Sequence, residues 1–356
     1  MASRTSEAVD RRELLRRSLE EWREPGAAEL CELLEEMVRD TDSSGQTIRL
    51  ERLKRAVYRL RIGCGPGLVL KRHVPAIAQT DRMLAERWLP ALGLGDRCPR
   101  LLGAAAEREG RSVWHIYEDL GHESLAAERL PWRLAAAVDF VAQLHTRAAG
   151  HTLLPEVGWR ARDHGVHFFA SNLHEAIAVL EVLPGPRRQV PHEVTVARGR
   201  LLHRLYALLE DFPRRMRIMD EVGGPTTLLH GDLWPKNVFV TIDSDGPRTR
   251  LIDWDHVGVG SFSYDISTFL YQSSPEERPG VLRRYREAVE RAGWRLPESR
   301  ELNLLFHTAE SARYVQRILW AAMALVNDGA EWGMRELVDY EGWFEALRPP
   351  LQATSL

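Results

Sequence analysis

Two short stretches constrain this chain more than any others: LLHGDLWPKNVFV at 228–240 and RLIDWDHVGVGSFSYDIS at 250–267. His230, Gly231 and Asp232 end an apolar approach, Asn237 lies five residues beyond Asp232, and Asp253 follows sixteen residues later in an Ile-Asp-Trp triplet. His-Gly-Asp alone is a common turn, because Gly accepts left-handed backbone and Asp bonds nearby amides. The offset to Asn237, the strand-like flanks Val238 to Val240 and Leu251 to Ile252, and the second Asp after a polar hairpin make a larger pattern. A carboxylate to align a hydroxyl, followed by an amide and a second carboxylate to hold Mg²⁺ against a triphosphate, is the order that phosphoryl transfer requires.

Composition narrows the alternatives. The 356 residues, 44% hydrophobic and 28% charged, suit a soluble globular protein of one large or two ordinary domains. A net charge of -3 gives no global basic field, so neither nucleic acid nor an anionic membrane is an expected partner. Cys31, Cys64 and Cys98 are odd in number and widely spaced, which fits a reduced, cytoplasmic protein rather than a disulfide framework. The charged N-terminus has no apolar stretch of signal-peptide length, and no window reaches the run of about 20 apolar residues of a membrane helix. Neither HExxH nor Cys-x-x-Cys occurs, so a transition-metal site has little support.

Residues 1–40 carry charged, helix-favouring patterns broken at Pro25-Gly26 and read as a helical extension. From Thr47 the period changes to that of strands: TIRLERL, AVYRLRI and LVLKRH, with Tyr58, Leu60 and Ile62 on one face and Arg59 and Arg61 on the other. A helix is expected over Ala78 to Leu89, ended by Pro90, and two more strands, LLGAAAE and SVWHIYE, flank the turn at Gly110. Beyond Asp119 the pattern is mainly helical, over Leu134–Leu144, Leu173–Leu183, Val194–Met219, Val281–Ala292 and Leu302–Val326.

With its HGDLxxxN loop and IDW-type triplet, the chain resembles the aminoglycoside phosphotransferase and choline kinase family. The resemblance implies an α+β, two-lobed, protein-kinase-like fold. It would have an antiparallel-sheet N-lobe with one main helix at 41–118 and a larger, mainly helical C-lobe at 119–356. It implies transfer of the γ-phosphoryl group of ATP, with Mg²⁺, to a hydroxyl of a small molecule such as an amino sugar, antibiotic or amino alcohol. It implies that Asp232 orients the acceptor hydroxyl and takes its proton, and that Asn237 and Asp253 bind the metal. His230 would support the loop, Asp265 would brace it, and Asp255 would reach a second metal or the substrate, or serve structure alone.

Lys71 ends LVLKRH on the same face as Val69, which puts an ammonium beside phosphates and a small apolar group over the base, as in the kinase strand bearing V-A-I-K. Glu86, three residues from both Met83 and Leu89, is the expected mate of Lys71, against an exposed pairing with Arg82 or Arg87. In the segment resembling the family's hinge, the Tyr117 carbonyl and the Asp119 amide would meet the adenine edge. The first strand turn departs from the family: Leu53-Lys54-Arg55-Ala56-Val57 stands where a glycine-containing phosphate loop is usual. Either Lys54 and Arg55 replace amides by charge or nucleotide binding is weakened, which leaves a pseudokinase open beside a peptide Ser/Thr kinase. The acid-rich late helices would suit a cationic acceptor, a solvated surface explains them equally, and oligomeric state is not legible.

Overall fold

The computed structural model describes residues 24–38, 48–63, 65–183 and 191–351. Most of the expected N-terminal extension, and Cys64, lie outside the described residues. By its contacts the chain divides into two compact units, Met1–Arg129 with Lys236–Asp255, and Leu130–Pro235 with His256–Leu356. The division falls later than the expected boundary at 118/119, and it assigns 236–255 to the first unit.

The first unit is built on α1 (Ala27–Val38) and an antiparallel sheet of β1 (Ile48–Lys54), β2 (Val57–Ile62), β3 (Leu68–His73), β4 (Leu101–Ala106) and β5 (Val113–Glu118), in the order β1-β2-β3-β5-β4. Alternation gives the sheet two faces. Tyr58, Leu60, Leu70, Trp114 and Ile116 are fully buried in a core with Leu30 and Leu34 of α1. Glu24 fixes this packing, accepting from the Tyr58 hydroxyl at 2.7 Å and from Arg72 at 2.8 Å, while the Trp114 indole donates to the Pro25 carbonyl. The other face carries Val57, Arg59, Val69, Lys71, His115 and Tyr117.

The expected single helix is α2 (Pro75–Met83), continued by a π turn over Leu84–Trp88 and a last helical turn to Ala91. Pro75 starts it, where a missing N–H costs nothing. Pro90 does not end it, because the wider turn absorbs the ring and the absent donor. Later in the chain, after β6 (Thr227–Leu229) of the second unit, the hairpin β7 (Val238–Asp243) and β8 (Gly246–Leu251) joins the first unit. The Leu251 amide donates to the Arg97 carbonyl, the Leu125 amide donates to the Val238 carbonyl, and Arg250 reaches Glu118 at 2.9 Å.

The second unit is mainly helical: α3 (Pro131–Ala148), α4 (Leu154–Arg160), α5 (Val166–Val182), α6 (His192–Val222), α7 (Ser263–Tyr271), α8 (Arg278–Arg291), α9 (Ser299–Asp328) and α10 (Glu331–Ala346). All five expected helices are present, and α4, α7 and α10 are additional. Helix α9 packs against α5, α6, α7 and α10 and holds the core together through Val315, Ile318, Ala322 and Leu325. It begins with a reciprocal capping box, Glu298 with Glu301, and ends at left-handed Gly329. A two-stranded ladder of β6 with β9 (Gly258–Gly260) lies beside α4 and α3. Among the described residues no helix is long and apolar enough to cross a membrane.

Candidate active site

On the face of the first unit's sheet away from α1 lies a pocket of about 290 Å³. Val57, Val69, Ala85, Leu84 and Phe239 supply apolar walls, and Lys54, Lys71, Asn237 and Asp253 supply charge and amide at one region of the lining. Its electrostatics centre on Asp253. Lys71 Nζ lies 2.5 Å from Asp253 Oδ1 and 2.7 Å from Asp255 Oδ1, and Lys54 Nζ lies 2.8 Å from Asp253 Oδ2. Burial raises the Asp253 pKa, but the two ammonium groups outweigh it and hold the carboxyl well below the usual range. Conversely, burial depresses Lys71 while Asp253 and Asp255 more than restore it, leaving it raised. Asp253 has φ +66°, a conformation uncommon outside glycine and tolerated by Asp through local bonding.

Glu86 is not the mate of Lys71. It is exposed and pairs with Arg82 at 2.8 Å, one turn away on its own helix. Asp81, Leu84, Ala85 and Trp88, at offsets of three, four and seven residues, form the inward face, and Glu86, five residues from Asp81, falls on the opposite side. The carboxylate that this helix presents to the pocket is Asp81. It accepts from the Tyr117 hydroxyl at 2.6 Å, and that hydroxyl lies 3.2 Å from His73 Nε2 and 3.0 Å from His115 Nδ1. His73, Asp81 and His115 lie close enough to hold a metal ion, but the Tyr117 hydroxyl bridges them and closes the group as a hydrogen-bonded cluster. Burial and the Lys71 charge bring the His73 pKa down to about 3, so its ring is neutral near pH 7.

The backbone groups expected at the hinge are engaged within the sheet. The Asp119 amide donates to the Gly67 carbonyl at 3.0 Å, and its carboxylate forms a buried ion pair with Arg59 at 2.7 Å. Backbone groups two apart in a strand point to the same neighbour, so the Tyr117 carbonyl also faces β3. Tyr117 contributes its side chain to the pocket instead. On the β4 side the Arg100 amide donates to the Glu118 side chain rather than to its carbonyl.

The second unit carries Asp232. Gly231, at φ +81°, could not be another residue: a Cβ there would stand 1.9 Å from the His256 carbonyl oxygen. Asp265, wholly buried, accepts from the His230 amide at 2.7 Å and the Gly231 amide at 2.9 Å. Burial would raise its pKa, but hydrogen bonds from His145 and the backbone, with the nearby His145 and His230, keep it lowered. Arg313, also buried, donates to the Gly231 carbonyl and the Tyr264 carbonyl, both at 2.6 Å. His230 is fully buried and its Nδ1 accepts from the Asp232 amide at 3.3 Å. The loop is therefore gripped by its backbone from two sides.

Sequence reasoning missed Arg313, Asp81 and the pairing of Asp253 with Lys71 and Lys54. It also left Trp234 without a role, and the structure shows its indole donating to Asp232 Oδ1 at 2.5 Å. The acidic bias of the late helices is absorbed in part. Glu310 accepts from Ser267 at 2.8 Å and lies 3.3 Å from Arg313, Glu341 faces Arg200, Glu345 meets Arg204, and Glu301 caps α9. Arg317 stands 3.7 Å from Asp232.

The model of the APH family, described as the phosphotransferase enzyme family, matches residues 46–302, well over half of the chain. The chain belongs to that family. It is an enzyme, a small-molecule phosphotransferase, and both motifs lie inside the matched segment, while the end of α9 with Arg313 and Arg317 lies beyond it. Solved structures of similar fold include spectinomycin phosphotransferase APH(9)-Ia in complex with ADP and spectinomycin, 11% identical, TM-score 0.56, covering 89% of this chain and 98% of that one. The GDP complex of aminoglycoside 2'-phosphotransferase-IIIa is 14% identical with a TM-score of 0.54, over 88% of this chain and 98% of that one. Choline kinase LicA from Streptococcus pneumoniae is 12% identical with a TM-score of 0.52, over 89% and 99%. The fold is that of protein-kinase-like phosphotransferases. No curated protein matches the chain in sequence.

Proposed function

We propose that this phosphotransferase moves the γ-phosphoryl group of ATP to a hydroxyl of a small molecule, with Mg²⁺, using Asp232 to orient that hydroxyl and take its proton. The observation that carries the reading is the convergence of Lys71 and Lys54 on Asp253 in a pocket with apolar walls. Two ammonium groups beside a carboxylate suit a ligand that brings its own anionic phosphates and its own cation. Asn237 and Asp253 would hold the metal, since both offer the oxygen donors a hard cation prefers and both line that pocket. When bound, Mg²⁺ would neutralise charge on the phosphates and leave the two lysines to bind oxygens of the triphosphate.

The adenine edge falls to the Glu118 carbonyl and the Leu120 amide, because the Tyr117 carbonyl and Asp119 amide serve the sheet. Lys54 supplies charge at the turn where glycine amides are usual in the family, and exposed Arg55 does not share that contact. Asp265 and Arg313 hold the backbone that presents Asp232.

The relatives were solved with ADP or GDP, and with acceptors such as spectinomycin and kanamycin. The direct test is ADP release from MgATP by the purified chain against spectinomycin, kanamycin, streptomycin and choline, with mass spectrometry of the acceptor. A gain of one phosphoryl group on a hydroxylated acceptor is the expected result. Absence of MgATP binding in calorimetry would overturn the reading.

A further inference from the structure

The braces on the catalytic loop act on its backbone at His230 and Gly231, and leave the carboxylate of Asp232 two rotatable bonds from anything they fix. That side chain is 18% exposed, so packing alone does not set its orientation. Two side chains reach the same oxygen of it. The Trp234 indole donates to Oδ1 at 2.5 Å, and Arg317 Nη2 stands 3.7 Å from Oδ1. The pair is tied together, since the Arg317 guanidinium lies over the Trp234 ring, 5.5 Å from its centroid. The loop itself delivers the indole, because the Trp234 amide donates to the Asp232 carbonyl at 2.8 Å and folds the chain back. Helix α9 delivers the arginine one turn beyond Arg313, so one helix grips the loop's backbone and the next turn reaches its carboxylate.

From this geometry we infer that Trp234 and Arg317 are positioning residues, a bracket that fixes Asp232 through one carboxylate oxygen and so aims the other at the acceptor hydroxyl. The inference rests on the reading of Asp232 as the acceptor-orienting base. The residue types suit the task. A carboxylate that must accept a proton during the reaction is best held by donors that do not release one: indole N–H is a donor only, and guanidinium stays protonated throughout the working range. A histidine in either place would compete for the proton. Misplacement of a reacting group by about 1 Å can cost on the order of a hundredfold in rate, so loosening one arm of the bracket should cost about tenfold.

The experiment uses the full chain and four variants: Trp234→Phe, which keeps the ring and removes the donor, Arg317→Ala, Arg317→Lys and the Trp234→Phe/Arg317→Ala double. Turnover is measured with MgATP and the acceptor found among spectinomycin, kanamycin, streptomycin and choline, and as intrinsic MgATP hydrolysis. Each single removal should lower kcat about tenfold while leaving the KM for ATP within about twofold. Arg317→Lys should recover part of the loss, and the double variant should lose less than the product of the singles, because both arms act on one group. A second arm needs no acceptor. The Trp234 indole proton, assigned by its loss from the NMR spectrum of Trp234→Phe, should shift in Asp232→Asn and in Arg317→Ala. An indole resonance indifferent to Asp232→Asn, or single variants whose kcat stays within twofold of the parent, overturns the bracket. A parent that binds no MgATP, or transfers to no acceptor and hydrolyses nothing, overturns the phosphotransferase reading itself and with it the bracket's catalytic purpose.

Discussion

The two units hold their site carboxylates in opposite ways. In the first, Asp253 is met by the ammonium groups of Lys71 and Lys54 at the lining of an open pocket, and Lys54 is more than half exposed. In the second, Asp265 is wholly buried and bonded to the His230 and Gly231 amides, while Arg313 donates to the Gly231 carbonyl that follows them. Ammonium–carboxylate pairs of long side chains can be exchanged for a metal and phosphates at small conformational cost, because only rotamers change. Backbone amides on a buried carboxylate cannot be exchanged without leaving a charge unpaired, which costs about 3 to 5 kcal/mol. On the proposed reading one unit trades partners when the nucleotide binds, and the other keeps a loop still.

Four substitutions probe that contrast. Asp232→Asn should have the largest effect, lowering turnover by about a hundredfold or more, since an amide fills the same space but takes no proton. MgATP binding measured by calorimetry should persist, and retention of more than roughly a tenth of parental turnover would remove Asp232 from its role. Asp265→Asn should come next. It offers one acceptor oxygen to two amides and no charge, so urea unfolding should show a loss of about 2 to 4 kcal/mol together with loss of activity. The sign with pH follows from its lowered pKa: the stabilisation is complete above the ordinary carboxylate range and is lost as pH falls through the folded value. An unchanged unfolding midpoint would mean that the loop is held by other means.

Asp253→Ala should weaken MgATP binding at least about tenfold while metal-free ATP binds as well as before or better, because Lys71 and Lys54 lose their carboxylate. Equal MgATP titrations for variant and parent would contradict exchangeable pairing. The smallest effect belongs to the turn. Lys54→Ala should raise the KM for ATP several-fold and blunt its dependence on salt, while adding Arg55→Ala changes little more, since Lys54 lines the pocket and Arg55 does not. Equal contributions from the two residues would return the turn to a diffuse electrostatic role.

Much of this was legible in the sequence because it is local. The five strands follow from period-two alternation, the long helices from apolar stripes, and the HGDLWPKN and IDWD motifs from fixed offsets along one stretch of chain. Asp265 as a brace was also within reach, through the family resemblance. The misses are informative in the same way. Glu86 fails because the face that packs on the sheet runs through Asp81, Leu84 and Trp88, and which face of a helix packs is set by its neighbours in space. The Tyr117 carbonyl and the Asp119 amide face β3 because strand register, not residue type, decides which backbone groups the sheet consumes.

The sequence by itself determined the element types, the order of the catalytic and metal-binding candidates, and the chemistry their side chains can perform, since these depend on neighbours within a few residues. Only the tertiary structure decided which charges meet. Asp253 receives Lys54 from 199 residues away and Lys71 from 182, and Gly231 receives Arg313 from 82 residues away. Those partners are chosen by how strands and helices pack, and Coulomb attraction acts over distance in space, to which separation along the chain gives no guide.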